Sequence, residues 1–202
     1  MTRVSAQNNL NYGNRHPFIK AVPVLNKIVV VITVLALSLT AFQFYGQNEQ
    51  SAASIQYFKP NQISLLDINI SAPIVPLGLK KDKTLQVPEK ASEVGWFEKS
   101  AMPGQTGTLI MVGHYDSETG EGIFYKLDQL KIGEEIMLTN TIGEEIIYKI
   151  EKMENYPLDN FPDELVYGNT AYPSLRLITC SGNFNAELSR YSHNLVVYAS
   201  RK

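Results

Sequence analysis

The sequence predicts an all-β domain, a barrel or a sandwich, carried behind one N-terminal transmembrane helix. Three observations predict it. From residue 62 onward, turn residues cut the chain into short β-rich runs with few helical signals. Hydrophobic residues make up 44% of the 202 and charged residues 19%, enough apolar material for a core. One uncharged apolar stretch near the start stands apart from this pattern.

That stretch runs from Ile28 to Tyr45, near the lower limit for a helix that crosses a bilayer. It has no polar face, which argues against a helix of a soluble core. Arg15, Lys20 and Lys27 precede it and assign residues 1–27 to the cytoplasmic side, with the body outside. Phe42, Phe44 and Tyr45 suit the outer interface. The alternative is a cleaved signal peptide with a small-residue site near Ser51-Ala52-Ala53, although the 27 residues ahead of the run are long for one. Residues 46–60 read as a polar linker and 61–202 as the domain.

Within the domain, 63–70 and 72–79 read as strands separated by little. Residues 107–114, "GTLIMVGH", form a continuous apolar run that ends in Gly-His. The runs 134–140 and 144–153 flank Thr141-Ile142-Gly143 as a hairpin. Residues 174–180 and 193–200 complete the set, while 122–130 and 163–169 read as short helices or turns. The first 48 residues hold no acid, so all 20 acidic residues fall beyond them and the body is mildly acidic. A body without a basic stripe does not suit nucleic acid.

Cys180 is the only cysteine, which excludes an internal disulfide. On an exported body an idle thiol is a liability, so a chemical role gains weight. A thiol attacks as thiolate and needs a base or a cation nearby. If its pKa is lowered, Cys180 is expected to label with iodoacetamide faster than a free thiol. His16 lies before the anchor and His193 sits in a polar stretch; His114, at a strand end beside a glycine, is the candidate base. Arg190, in the expected loop after Cys180, is the candidate oxyanion partner, because two antiparallel strands would bring it back toward the thiol. Arg176 is its rival: four residues before Cys180, it shares that face of the strand about 13 Å away. "DSETGEG" (116–122) lacks a full calcium-loop pattern and reads as a polar turn, and no metal or cofactor is expected.

"LITCSG" (177–182), "VGHYDS" (112–117) and "NLVVYAS" (194–200) together resemble the sortases, the surface cysteine transpeptidases of mainly Gram-positive bacteria. "PIVPLGL" (73–79), "VGWFEKSAMPGQTGTLIMVGH" (94–114) and "GIFYKL" (122–127) stand in the same order, and the likeness covers about residues 60–200. It looks closest to the class F-like or class D-like branches. The resemblance implies a closed or nearly closed barrel of about eight strands, with Cys180 as nucleophile, His114 as its proton partner and Arg190 as oxyanion stabiliser. It implies that Thr179, Ser181 and Gly182 contact the substrate. That substrate would be a surface protein with a Leu-Pro-x-Thr-Gly-like sorting signal, cut between Thr and Gly through a thioacyl intermediate. The acceptor would be a cell-wall precursor amine, a pilin lysine or water. Two departures stand out: Asn194 occupies the place where several sortases carry arginine, and Arg176 replaces a threonine. They keep open a catalytically weak or inactive surface domain that binds peptide or wall polymer. An L,D-transpeptidase-like enzyme is disfavoured, because that family keeps its histidine shortly before the cysteine.

Overall fold

The computed structural model describes residues 57–201. The expected cytoplasmic segment, the anchor at 28–45 and most of the linker lie outside these residues. Ten strands and one short helix follow in order: β1 Gln62–Leu65, β2 Ile70–Leu77, β3 Val94–Phe97, β4 Gly107–Gly113, β5 Asp116–Ser117, β6 Gly120–Glu121, β7 Glu135–Thr139, β8 Glu145–Pro157, α1 Asp163–Tyr167, β9 Pro173–Asn185 and β10 Arg190–Arg201. Eight of them close a barrel in the order β1-β2-β3-β4-β9-β10-β8-β7, and β5-β6 is a separate small hairpin. The all-β barrel of eight strands is therefore as expected.

Strand alternation builds the interior. Ile63, Leu65, Leu109, Met111, Ile136, Leu138, Tyr148, Leu175, Leu177 and Val197 point inward and are buried with Phe124 and Leu127. Each such side chain contributes roughly 1.5–3 kcal/mol on burial. A second cluster covers the outer face of β4, β9 and β10. Ile110, Val112, Ile178, Val196 and Tyr198 pack there against Val166 of α1. This explains why 107–114 reads as a continuous apolar run: β4 is buried on both faces. The β4–β9 pairing is parallel, from Gly107↔Pro173 to Val112↔Ile178, and it carries the two chemistry-bearing motifs side by side.

Several boundaries differ from the sequence reading; β8, for one, runs on to Pro157 and β2 covers Ile70–Leu77. The run 63–70 breaks at a 3-10 turn, Leu66–Ile68, closed by Asn69 in the left-handed region (φ 54°), which leaves Leu66 exposed. Val94–Phe97 is a strand too short to register as a periodic run. The last hairpin is longer than expected, because β9 continues to Asn185 and β10 begins at Arg190. The segment 163–169 does contain a helix, α1.

Candidate active site

The site forms where β4 and β9 end together. Their ladder stops at Val112↔Ile178, and the Thr179 hydroxyl then donates to the Gly113 carbonyl at 2.9 Å. This tie holds the two strand ends in register. Two residues further on in each segment stand His114 and Cys180, just past the paired ends. A parallel ladder, rather than sequence proximity, thus brings together the strand ends that carry the two expected residues. Cys180 is exposed, on the outward side of β9 with Arg176 and Ile178. Thr179 is buried and its hydroxyl is committed to Gly113.

His114 is half-buried, and its Nε2 lies 2.8 Å from the Pro88 carbonyl oxygen. A carbonyl only accepts, so Nε2 carries the proton and Nδ1 keeps a free lone pair in the neutral ring. The 78–93 connection between β2 and β3 therefore fixes the tautomer, a role that no sequence signal indicates. Gly122 is required for close approach here: a Cβ on it would lie 2.3 Å from the His114 carbonyl oxygen.

Two influences act on the Cys180 thiol, and both raise its pKa: desolvation by the protein atoms around it is the larger, although the residue as a whole is exposed, and the Asp116 charge adds to it. The condition attached to fast labelling, a lowered pKa, is therefore not met in this structure. Asp116 accepts a hydrogen bond from the Tyr191 hydroxyl. That bond, with burial and the carboxylate charge behind it, pushes the Tyr191 phenol up to about 12. Tyr191 also packs edge-on against Tyr115, with ring centroids 5.3 Å apart, and against Phe184 at 5.2 Å. The hairpin after His114 is thus pinned to β10 across the site. "DSETGEG" gave no hint of this in the sequence.

The arginines fall differently from expectation. β9 runs five residues past Cys180 before the turn, so Arg190 pairs with Asn185 while Asn194 pairs with Cys180. Four residues of strand separate Arg190 from that position, about 13 Å. The Arg190 guanidinium instead meets Asp159, Nη2 to Oδ1 at 3.3 Å. Arg176 shares the face of Cys180, as expected, but lies buried over the Tyr198 ring at 4.4 Å from its centroid. Its Nη1 donates to the Leu175 carbonyl at 3.1 Å. Beyond Cys180, Ser181 Oγ donates to Asn155 Oδ1 at 2.7 Å. Gly182 and Asn183 face Ser192 alone in a β-bulge. Gly182 adopts φ +77°, and a Cβ there would lie 2.5 Å from Ser192 Oγ. His193 Nδ1 lies 2.7 Å from that same Oγ.

The eight-stranded barrel carries a cysteine and a histidine just past the paired ends of two parallel strands, and comparison with known proteins identifies the family. A sortase-domain family model matches residues 63–202. The chain belongs to the sortase family. Among solved structures it is similar to a lid mutant of Streptococcus agalactiae sortase C1, at 20% identity and a TM-score of 0.52, covering 70% of this chain and 68% of that one. Corynebacterium diphtheriae sortase A aligns at 22% identity and a TM-score of 0.54, covering 73% of this chain and 62% of that one. A Clostridium perfringens sortase D5 transpeptidase aligns at 19% identity and a TM-score of 0.53, covering 78% and 88%. At these identities the structural likeness speaks for the fold. No curated relative matches the chain.

Proposed function

We propose that the protein is a membrane-anchored cysteine transpeptidase, held by residues 28–45 with its domain outside the cell, that cuts a Leu-Pro-x-Thr-Gly-like sorting signal between Thr and Gly. The observation that carries this reading is the tying of the β4 and β9 ends by the Gly113–Thr179 bond, one residue before His114 and Cys180 respectively. As sulfur attacks the threonine carbonyl, its proton passes to His114 Nδ1, the nitrogen left free by Pro88. The imidazolium then protonates the departing glycine amine, leaving a thioester on Cys180 and a neutral imidazole. An amine or water resolves the thioester. The acceptor on a cell-wall precursor or pilin is part of the same proposal, as is the class F-like or class D-like assignment.

The oxyanion needs a donor on β10. In the resting arrangement the residue across the ladder from Cys180 is Asn194, whose side-chain amide is a suitable neutral donor. Arg190 could serve only after releasing Asp159. Asn194→Ala should lower kcat by roughly 10²-fold, as loss of one oxyanion donor does. Arg190→Ala should cost less than about tenfold, since exposed ion pairs contribute little. The reverse order would return the role to Arg190.

The direct test incubates the full chain with a peptide library carrying variants of the signal. Cleavage after Thr, with a thioacyl adduct on Cys180 by mass spectrometry, is the expected result. The paired Arg190 and the raised thiol favour a second reading, a weak or inactive peptide-binding domain. That reading requires binding without an adduct. Gly122→Ala should displace His114 through the backbone contact and lower kcat/KM by about 10²-fold, the cost of an ångström-scale misplacement.

A further inference from the structure

On the outer face of the barrel, the side that carries Cys180, a cavity of about 660 Å³ opens between the β2–β3 connection and α1. Thr108 and Ile110 of β4 line it with Leu79 and Leu85 of that connection, Phe97 at the end of β3 and Tyr167 of α1. Its polar atoms are largely spent within the fold. The Thr108 hydroxyl donates to the Gly168 carbonyl at 2.7 Å, and Ser100 Oγ donates to the Phe97 carbonyl and accepts from the Ile110 amide. Its charges balance, Lys83 and Lys99 against Asp82 and Asp163. The surface it offers is apolar, and two of its large side chains, Leu79 and Tyr167, are exposed. The ladder fixes its distance from the thiol. Ile110 pairs with Arg176 and Thr108 with Ser174, so the cavity lies about 13–20 Å before Cys180 along β9. Val112 and Ile178 of the outer cluster stand between the two.

We propose that this cavity receives the substrate residues that precede the sorting signal, and that it selects a large apolar side chain there, aromatic or branched aliphatic. This rests on the reading of the protein as a Leu-Pro-x-Thr-Gly-directed enzyme and adds a specificity site to it. The Leu-Pro half of the signal is apolar and belongs over Val112 and Ile178, which directs the upstream chain toward the starts of β4 and β9. With the threonine carbonyl at Cys180, an extended peptide places its leucine about 10 Å away. The cavity, at about 13–20 Å, then meets the one to three residues before that leucine, which the signal leaves unspecified. Its volume falls within the range of about 300–1,000 Å³ typical of preformed binding pockets. A large apolar side chain covers Leu79 and Tyr167 without stranding Thr108 or Ser100, whose bonds are made inside the fold. A charged side chain meets no net opposite charge and loses water.

The test titrates the full chain carrying Cys180→Ala with dye-labelled peptides that share one signal and differ in the three residues before its leucine. One peptide has serine at all three places; the others carry phenylalanine or aspartate at each place in turn. Fluorescence anisotropy gives Kd. The best phenylalanine peptide should bind about tenfold more tightly than the serine peptide, the lower end for burying an aromatic side chain. The aspartate peptides should stay within about twofold of serine. Leu79→Ser and Tyr167→Ser, placed singly in the same chain, should each cut the phenylalanine advantage below about threefold. Leu165→Ser, on the exposed side of α1 and outside the cavity, should keep it. With the wild-type thiol the advantage should reappear in KM while kcat stays level, because the contact is the same in ground and transition states. Equal Kd for the phenylalanine and serine peptides, an aspartate peptide that binds as well as the best phenylalanine one, or an advantage that survives both cavity variants would overturn the proposal. If the wild type cleaves none of the peptides while the Kd pattern holds, the transpeptidase reading fails and the cavity stands as a peptide-binding site.

Discussion

Replacing Cys180 with alanine is expected to bring peptide cleavage to background, a loss on the order of 10⁴-fold or more, because the nucleophile and its proton partner act as a unit. No neighbour can take over. Ser181 is the next nucleophilic atom along β9, but it lies on the opposite face and its hydroxyl donates to Asn155. The wild-type thiol should nevertheless react slowly with iodoacetamide. Burial and then Asp116 raise its pKa, so the thiolate fraction at pH 7 lies below that of a free cysteine. The alkylation profile should therefore rise at higher pH than that of a model thiol. Asp116→Asn removes the negative neighbour and should move the profile back down, leaving the part due to burial. A profile already below the model thiol would contradict this account of the site. On the proposed mechanism such a thiol would need the Nδ1 lone pair of His114 at the moment of attack, and the Pro88 carbonyl would then be part of the machinery.

The barrel, and the strand ends that carry Cys180 and His114, were legible because both rest on local patterns. Short β-branched runs announce strands, and Gly-His at the end of an apolar run announces a strand end that opens on a site. The parallel β4–β9 ladder then brings the two motifs together. What escaped the sequence depends on register and on loops. Where a hairpin turns decides which residue faces a thiol, and "CSGNFNAELSRYSH" contains several places to turn. The chain takes the later one, at 186–189, stabilised by Asn185 accepting from the Glu187 and Leu188 amides at 3.0 Å each. That choice puts Asn194, rather than Arg190, across from Cys180. Pro88 comes from a connection 26 positions away from the histidine it holds, and nothing in its local sequence marks it. The same strand alternation that hid these partners was legible for Arg176, whose shared face with Cys180 is as expected.

Arg176 illustrates how a shared face can mislead about chemistry. Its guanidinium is fixed over Tyr198, its Nε has no hydrogen-bond partner, and burial lowers its pKa against the partial support of nearby tyrosines and Glu151. Its ladder neighbours are Ile110 on β4 and Tyr198 on β10. Truncation to alanine should therefore empty part of the outer cluster and cost about 2–4 kcal/mol, the range for a large buried side chain. Methionine fills nearly the same space and removes a desolvated charge that holds no carboxylate. Arg176→Met should lie within about 1 kcal/mol of wild type or above it. Urea unfolding followed through Trp96, the single and buried tryptophan, separates the two variants. Peptide cleavage then distinguishes packing from catalysis. If Arg176 holds the outer face together, the methionine variant cleaves at a rate close to wild type, and the alanine variant loses activity only as far as it unfolds. If Arg176 served the oxyanion, both variants would lose cleavage alike while still folded, and the packing role argued from its burial would fall.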